Sequence, residues 1–160
     1  MKTRAAPEAS DYFVRQGRDA DRLAAELATE EQRRRYIATF YSSRFWAHPG
    51  SFSPDAVDFM AEPFMNASSL RASFGAYESA FQETARSEPS AMAAPNPTPT
   101  MILFGQSDHV LYPDYDRMAA AVFPNHVGPF LLRDCGHFVQ WEAAHALNSA
   151  IIAWCAPDTA

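Results

Sequence analysis

The sequence predicts an α/β fold in which a helical region precedes a β-α-β-α unit with two parallel strands. Apolar residues recur at helical spacing through residues 12–86, which predicts the helical region. Two short apolar runs follow, and each ends near a glycine and a polar side chain. A helical pattern separates the two runs, and a strand, helix and strand of this length imply a right-handed parallel crossover.

Composition narrows the class of protein. With 160 residues, of which 48% are hydrophobic and 13% aromatic, the chain suits one ordinary domain or part of a larger one. The net charge of −6 argues against a nucleic-acid-binding surface. Cys135 and Cys155 are too few for a disulfide framework, and no apolar run has the length of a signal segment or a membrane span. These features predict a cytoplasmic location.

Local signals place the helix starts. Residues 1–11 are small and polar, which predicts a frayed beginning. The predicted starts are at Asp19, at Thr29 in a capping box with Gln32, at Ser53 before Pro54, and at Ser68 or Ser69 in a helix that continues to Phe81. Arg33, Arg34 and Arg35 form the one basic cluster, and the preceding glutamates predict a solvated helix face with ion pairs one turn apart.

A proline-rich segment at 87–99 predicts a linker before the second region. Strands are then predicted at 100–104 and 129–133, with helices at 114–123 and 139–154. The carboxyl ends of parallel strands meet at one edge of a sheet, where ligands and chemistry gather in α/β proteins. We therefore expect Asp108 and His137, which follow the two strands, to lie side by side.

These segments resemble a known family. Residues 105–110 (GQSDHV) and 134–142 (DCGHFVQWE) resemble the segments after the seventh and eighth strands of α/β-hydrolases, with most similarity to the epoxide hydrolase and haloalkane dehalogenase branch. The helical region resembles the cap of that branch. The resemblance implies an incomplete α/β-hydrolase fold, with a cap at 12–86, a linker at 87–99 and the C-terminal part of the core at 100–156.

The resemblance also implies catalytic roles. His137 corresponds to the general base of the family, and Asp108 to the acid that fixes the tautomer of its imidazole. The residues alone leave alternatives, because His137 also fits a loop histidine bonded to backbone and Asp108 fits a turn aspartate. Asp114 and Asp116 are rival acids, although both suit the first turn of the next helix.

Substrate contacts are implied for aromatic residues. Residues 71–77 (RASFGAY) are similar to the cap segment that carries a substrate-facing tyrosine, so Tyr77 would donate a hydrogen bond to a leaving oxygen, with Tyr12 as its partner. Trp46 and Trp141 would line an apolar pocket. Core packing is the competing interpretation for all four side chains.

The family's nucleophile is missing from the sequence. It occupies a Gly-x-(Ser/Asp)-x-Gly turn, whereas no two of the six glycines in this chain lie four residues apart. Acid–base help alone contributes about 10²–10⁴-fold, compared with about 10⁶-fold or more for typical enzymes. We therefore expect negligible turnover from this chain by itself.

Three functions follow as hypotheses. The first is hydrolysis of an epoxide or carbon–halogen bond in a small apolar substrate, and the second is an esterase of the same fold with serine as nucleophile. The third is a non-catalytic remnant that binds a ligand or a partner. No cofactor, metal, nucleic acid or membrane is implied. The apolar strand at 100–104 lacks the neighbour it has in the family, which predicts either self-association through that edge or a second chain that supplies the N-terminal half.

Overall fold

The computed structural model describes residues 7–83, 87, 94–111 and 114–156, with side chains from residue 11 onward. The chain forms two compact units. The helical unit contains the described residues 7–43, 52–83 and 87, and the sheet unit contains residues 44–51 together with the described residues from 94 onward. Much of the predicted linker 87–99 lies outside the described residues.

Six α-helices and one 3₁₀ turn of the helical unit lie wholly within the described residues. The elements are α1 (Pro7–Arg18), α2 (Ala20–Glu26), α3 (Glu30–Ser42), α4 (Pro54–Ala61), the 3₁₀ turn Glu62–Phe64, α5 (Ala67–Ser73) and α6 (Gly75–Ala80). Their apolar faces bury one cluster, which is formed by Ala20, Leu23, Ile37, Ala61, Leu70 and Phe74. None of the described helices in the chain is long and apolar enough to cross a membrane.

Three predicted helix starts are correct. Helix α2 begins directly after Asp19, although the Asp19 side chain accepts no capping hydrogen bond. The other two starts show the predicted side-chain caps. The Thr29 hydroxyl accepts the Gln32 N–H, and the Gln32 side chain accepts the Thr29 N–H in return, which completes the capping box of α3. The Ser53 hydroxyl accepts the Ala56 N–H, and Pro54 occupies the first turn of α4. Both signals act over three residues and need no tertiary context.

Other helix boundaries correct the sequence prediction. The expectation of a frayed start over residues 1–11 overlooked α1, which begins at Pro7. Gly17 in α1 is required by a close approach, because a Cβ there would lie 2.2 Å from the Phe81 ring. Asn66, not Ser68 or Ser69, caps α5 by accepting two backbone N–H groups. The predicted single helix that continues to Phe81 is interrupted at Phe74, whose N–H donates to Arg71 in a tighter turn.

The basic cluster divides in the structure. Arg34 and Arg35 pair with Glu30 and Glu31 one turn earlier on the surface of α3, as predicted. Arg33 is buried instead, and its guanidinium donates to the backbone carbonyls of Leu27, Ala28 and Met65. The prediction of a solvated face was wrong for Arg33, because its guanidinium satisfies carbonyl groups left free where two neighbouring elements end.

The sheet unit is built on two parallel strands. They are β1 (Thr100–Gly105) and β2 (His126–Leu132), and the described residues include no third strand in this sheet. Strand β2 therefore begins three residues before the predicted start at residue 129. The register pairs Thr100 with His126 and Gly105 with Leu132, with one irregularity after Met101. Gly128 lies beside it at φ +100°, a conformation that favours glycine.

Helices flank this sheet in the chain order predicted. They are α7 (Tyr115–Val122), α8 (Val139–Glu142) and α9 (Ala144–Cys155). The predicted helix at 139–154 is two helices, because Ala143 leaves helical geometry at φ −129°. Asp114 precedes α7 and Asp116 lies in its first turn, which is the alternative that the sequence favoured for these two acids.

Candidate active site

The loops after β1 and β2 are joined by backbone contacts. The Gln106 N–H donates to Leu132 over 2.9 Å, and the Ser107 N–H donates to Cys135 over 2.8 Å. Gly105 permits this approach, because a Cβ at that position would lie 2.0 Å from the Gly136 carbonyl oxygen. The two loops therefore form one edge at the carboxyl ends of the strands.

Asp108 and His137 lie side by side at this edge. The His137 Nδ1 atom is 3.0 Å from Asp108 Oδ2, and the Asp108 side chain is only 4% exposed. The other carboxylate oxygen, Oδ1, accepts the N–H groups of Val110 and Leu111, at 2.7 and 3.2 Å. With an ionised Asp108, Nδ1 carries the proton and donates it to the carboxylate, so Nε2 is left as the basic atom of the neutral imidazole.

Two aromatic rings contact the partly exposed His137 imidazole. The buried Trp46 meets it edge to face, with ring centroids 5.2 Å apart. Phe138 also contacts the imidazole, with centroids 5.5 Å apart, and it stacks on Trp46 at 6.1 Å. Trp141 has a different environment, because it lies on α8 and is 41% exposed. Trp46 is therefore buried and Trp141 is partly exposed, and the pocket-lining role expected of both stays a prediction.

Glu142 is the residue of this site that sequence reasoning missed. Its Oε2 atom accepts the N–H groups of His48 and Gly136, at 2.7 and 2.9 Å, and its Oε1 atom accepts the Phe138 N–H at 3.0 Å. One carboxylate therefore holds three backbone amides. The one sequence feature that could have indicated this role is the position of Glu142 in the segment that resembles the hydrolases, residues 134–142.

Cys135 lies beside the pair but is not a nucleophile. Its side chain is fully buried. Burial, followed by the negative charges of Glu142 and Asp108, raises the pKa of the thiol to about 11. A thiol with this pKa stays protonated near neutral pH, and the thiolate is the reactive form.

Another histidine of the sheet unit, His48, lies close to a serine and an aspartate. His48 Nδ1 is 3.3 Å from the Ser107 hydroxyl, and His48 Nε2 is 3.8 Å from the exposed Asp134 carboxylate. Both distances are longer than the 3.0 Å between His137 and Asp108. Within the described part of the chain, no cluster of three or more histidine, cysteine or acidic side chains could hold a metal ion.

Tyr12 and Tyr77 are brought together in the helical unit. Their rings meet edge to face, with centroids 5.8 Å apart, and both are half-buried. Tyr12 also contacts Phe40, and Tyr77 contacts Phe13, so the two tyrosines belong to an aromatic cluster. Burial raises the pKa of Tyr77, which keeps its phenol protonated and able to donate a hydrogen bond at neutral pH.

Comparison with known proteins gives a structural match. Nine chains of solved structures are similar, and one of them is described as "Epoxide hydrolase CorEH without ligand". The TM-score is 0.73 and the sequence identity 16%, and the match covers 95% of this chain and 52% of the epoxide hydrolase chain. No known family profile and no curated protein sequence matches. The chain therefore has a hydrolase-like fold and spans about half the length of that epoxide hydrolase.

Proposed function

We propose that this chain carries the acid–base pair of a hydrolase that cleaves an epoxide, carbon–halogen or ester bond in a small apolar substrate. The observation that carries the proposal is the 3.0 Å hydrogen bond between His137 and the buried Asp108, at the adjacent carboxyl ends of two parallel strands. The similarity of fold to an epoxide hydrolase supports this reaction class.

The pair would act on a water molecule. His137 Nε2 takes a proton from water, and the resulting hydroxide attacks the carbonyl carbon of an ester formed between the nucleophile and the substrate. The bond between that carbon and the ester oxygen then breaks, the departing oxygen takes the proton held on His137 Nε2, and the nucleophile is freed. Asp108 stabilises the imidazolium during this step and holds the ring in the required tautomer. Tyr77, with Tyr12 beside it, would donate a hydrogen bond to the leaving oxygen of the substrate.

The nucleophile would come from polypeptide outside this sequence, because the chain has no Gly-x-(Ser/Asp)-x-Gly turn. Surface chemistry of the sheet unit supports a covering polypeptide. Large apolar side chains are exposed on both β2 and α9, namely Val127, Phe130, Leu131, Ile151, Ile152 and Trp154. Exposed patches of large apolar side chains mark interaction surfaces. We propose that the N-terminal half of the hydrolase fold covers this surface, in the same chain or as a second chain.

The decisive experiment reconstitutes the two halves. The DNA upstream of Met1 and the neighbouring genes are translated, and a polypeptide with the nucleophile turn is co-expressed with this chain. Hydrolysis of styrene oxide and of p-nitrophenyl butyrate is then measured. We expect turnover from the pair, no turnover from this chain alone, and a loss of about 10²–10⁴-fold with His137→Gln.

Each outcome separates the hypotheses. Aspartate at the centre of the turn, with turnover of styrene oxide, supports epoxide chemistry, whereas serine with ester cleavage supports an esterase. Turnover that is insensitive to His137→Gln would overturn the proposed role of the pair. If no upstream or neighbouring sequence carries such a turn, the hydrolase proposal fails and a non-catalytic partner-binding module is favoured.

The covering surface has its own test. Ile152 on α9 is 71% exposed, and Phe59 in the helical unit is 64% exposed, so the two positions offer matched substitutions to lysine. We expect the unmodified chain to self-associate in light scattering, and we expect Ile152→Lys to reduce its mean mass more than Phe59→Lys does. A chain that is monomeric at every concentration, or equal effects of the two variants, would contradict the proposed surface.

A further inference from the structure

We infer that Glu142 is a positioning residue for the His137 imidazole, an inference that rests on the proposed role of His137. Three successive backbone N–H groups, those of Gly136, His137 and Phe138, each have an acceptor. Glu142 accepts the first and the third, whereas the carbonyl of Trp46 accepts the second over 2.7 Å. The backbone on both sides of the imidazole is therefore held by one carboxylate.

The same carboxylate holds the segment that packs against His137. Glu142 Oε2 accepts the His48 N–H as well as the Gly136 N–H, so it joins two parts of the chain 94 residues apart. Trp46, two residues before His48, contributes both the carbonyl that accepts the His137 N–H and the indole that contacts its ring. Displacement of either part would move the imidazole relative to Asp108.

Packing leaves this arrangement little freedom. Gly136 has no side chain, and a Cβ there would lie 2.5 Å from the Trp46 carbonyl oxygen and 2.9 Å from Ala47 Cα. The loop and the 46–48 segment therefore touch through their backbones. Their polar groups need an acceptor of fixed geometry, and Glu142, on the short helix α8 that follows the loop, supplies it.

Only a carboxylate of this length satisfies the three donors. Its two oxygens accept on both sides, whereas a glutamine side chain has one accepting oxygen and would turn an N–H donor toward at least one of the three amides. Hydrogen bonds to a charged acceptor are also stronger than neutral ones. Glu142→Gln conserves the shape of the side chain while it removes this capacity, so it isolates the effect of the acceptor.

The test uses nuclear magnetic resonance of the full ¹⁵N-labelled chain, and it needs no catalytic activity. Hydrogen exchange is measured at the amides of His48, Gly136 and Phe138, and long-range ¹H–¹⁵N spectra report the tautomer of the His137 ring. In Glu142→Gln we expect exchange at these amides to be about tenfold faster. We also expect loss of the preference for a proton on Nδ1. The matched control is Glu62→Gln on the exposed 3₁₀ turn of the helical unit, and it should change neither measurement.

A tautomer that is unchanged in Glu142→Gln would overturn the inference, because Glu142 would then support the loop without positioning the ring. Equal loss of protection at every amide of the sheet unit would also overturn it, since that result indicates a general structural role. Glu142→Asp keeps the charge but is shorter, and we expect it to restore protection at fewer than three of the amides. These measurements do not depend on turnover. If reconstitution fails but exchange and tautomer change as expected in Glu142→Gln, the hydrolase proposal is wrong and the positioning role of Glu142 is supported.

Discussion

The helical unit and the sheet unit are stabilised in different ways. In the helical unit, Leu23, Leu70 and Phe74 are each about 1% exposed and pack in one continuous cluster. Among the described side chains of the sheet unit, the small Cys135 is the one that is buried to the same extent. Several of the unit's largest apolar side chains are exposed, and hydrogen bonds join the loops around Asp108 and His137.

Apolar burial and polar contacts have different roles in the two units. Apolar burial stabilises the helical unit as a structure of its own, because buried area is the dominant favourable contribution to folding. The polar contacts of the sheet unit fix the geometry of a few side chains but contribute little net free energy each. A site can therefore be well formed within a unit whose large apolar side chains are partly exposed.

The largest expected difference concerns one phenylalanine in each unit. Phe74→Ala removes a fully buried ring and should lower the free energy of unfolding by about 3–5 kcal/mol. Phe130→Ala removes a half-exposed ring from β2 and should cost less than about 1.5 kcal/mol. Urea unfolding followed by far-ultraviolet circular dichroism measures both. Equal losses would contradict the contrast between the units.

A smaller effect is expected from the charged side chain that bridges elements in the helical unit. Arg33 donates to three backbone carbonyls, as Glu142 accepts from three backbone N–H groups in the sheet unit. Arg33→Met leaves those carbonyls without a partner and should lower the free energy of unfolding by about 3 kcal/mol. The control Arg35→Met removes an exposed ion pair and should cost less than about 1 kcal/mol. If both variants unfold at the same urea concentration, Arg33 has no special role.

Local signals were sufficient for part of the fold. The capping box at Thr29 and the Ser53-Pro54 start are correct because each is complete within four residues. The neighbouring positions of Asp108 and His137 were also expected, since the carboxyl ends of parallel strands share an edge. The catalytic roles assigned to these two residues stay predictions.

Longer-range features were not accessible from the sequence. Arg33 has the same neighbours in the chain as Arg34 and Arg35, and only the carbonyls that surround it in space distinguish it. Glu142 accepts hydrogen bonds from backbone amides, which nearly every residue possesses. The sequence therefore does not identify His48, 94 residues away, as its partner. Only residues 7–11 of α1 were missed, and the requirement for Gly17 later in this helix depends on the Phe81 ring, 64 residues away in the sequence.

The smallest expected effect is a dependence on pH that belongs to the sheet unit. The pKa of Cys135 is raised from its ordinary value of 9.0 to about 11, first by burial and then by nearby negative charge. The thiol is protonated in both the folded and the unfolded chain below about pH 9, so its contribution to stability is fully present there. As the pH rises toward about 11, the unfolded chain loses the proton first, and the free energy of unfolding should decrease. Urea unfolding between about pH 8 and 11, compared with Cys135→Ala, measures this contribution. The variant should show a shallower decrease, and parallel profiles would mean that the thiol is ionised with equal ease in both states.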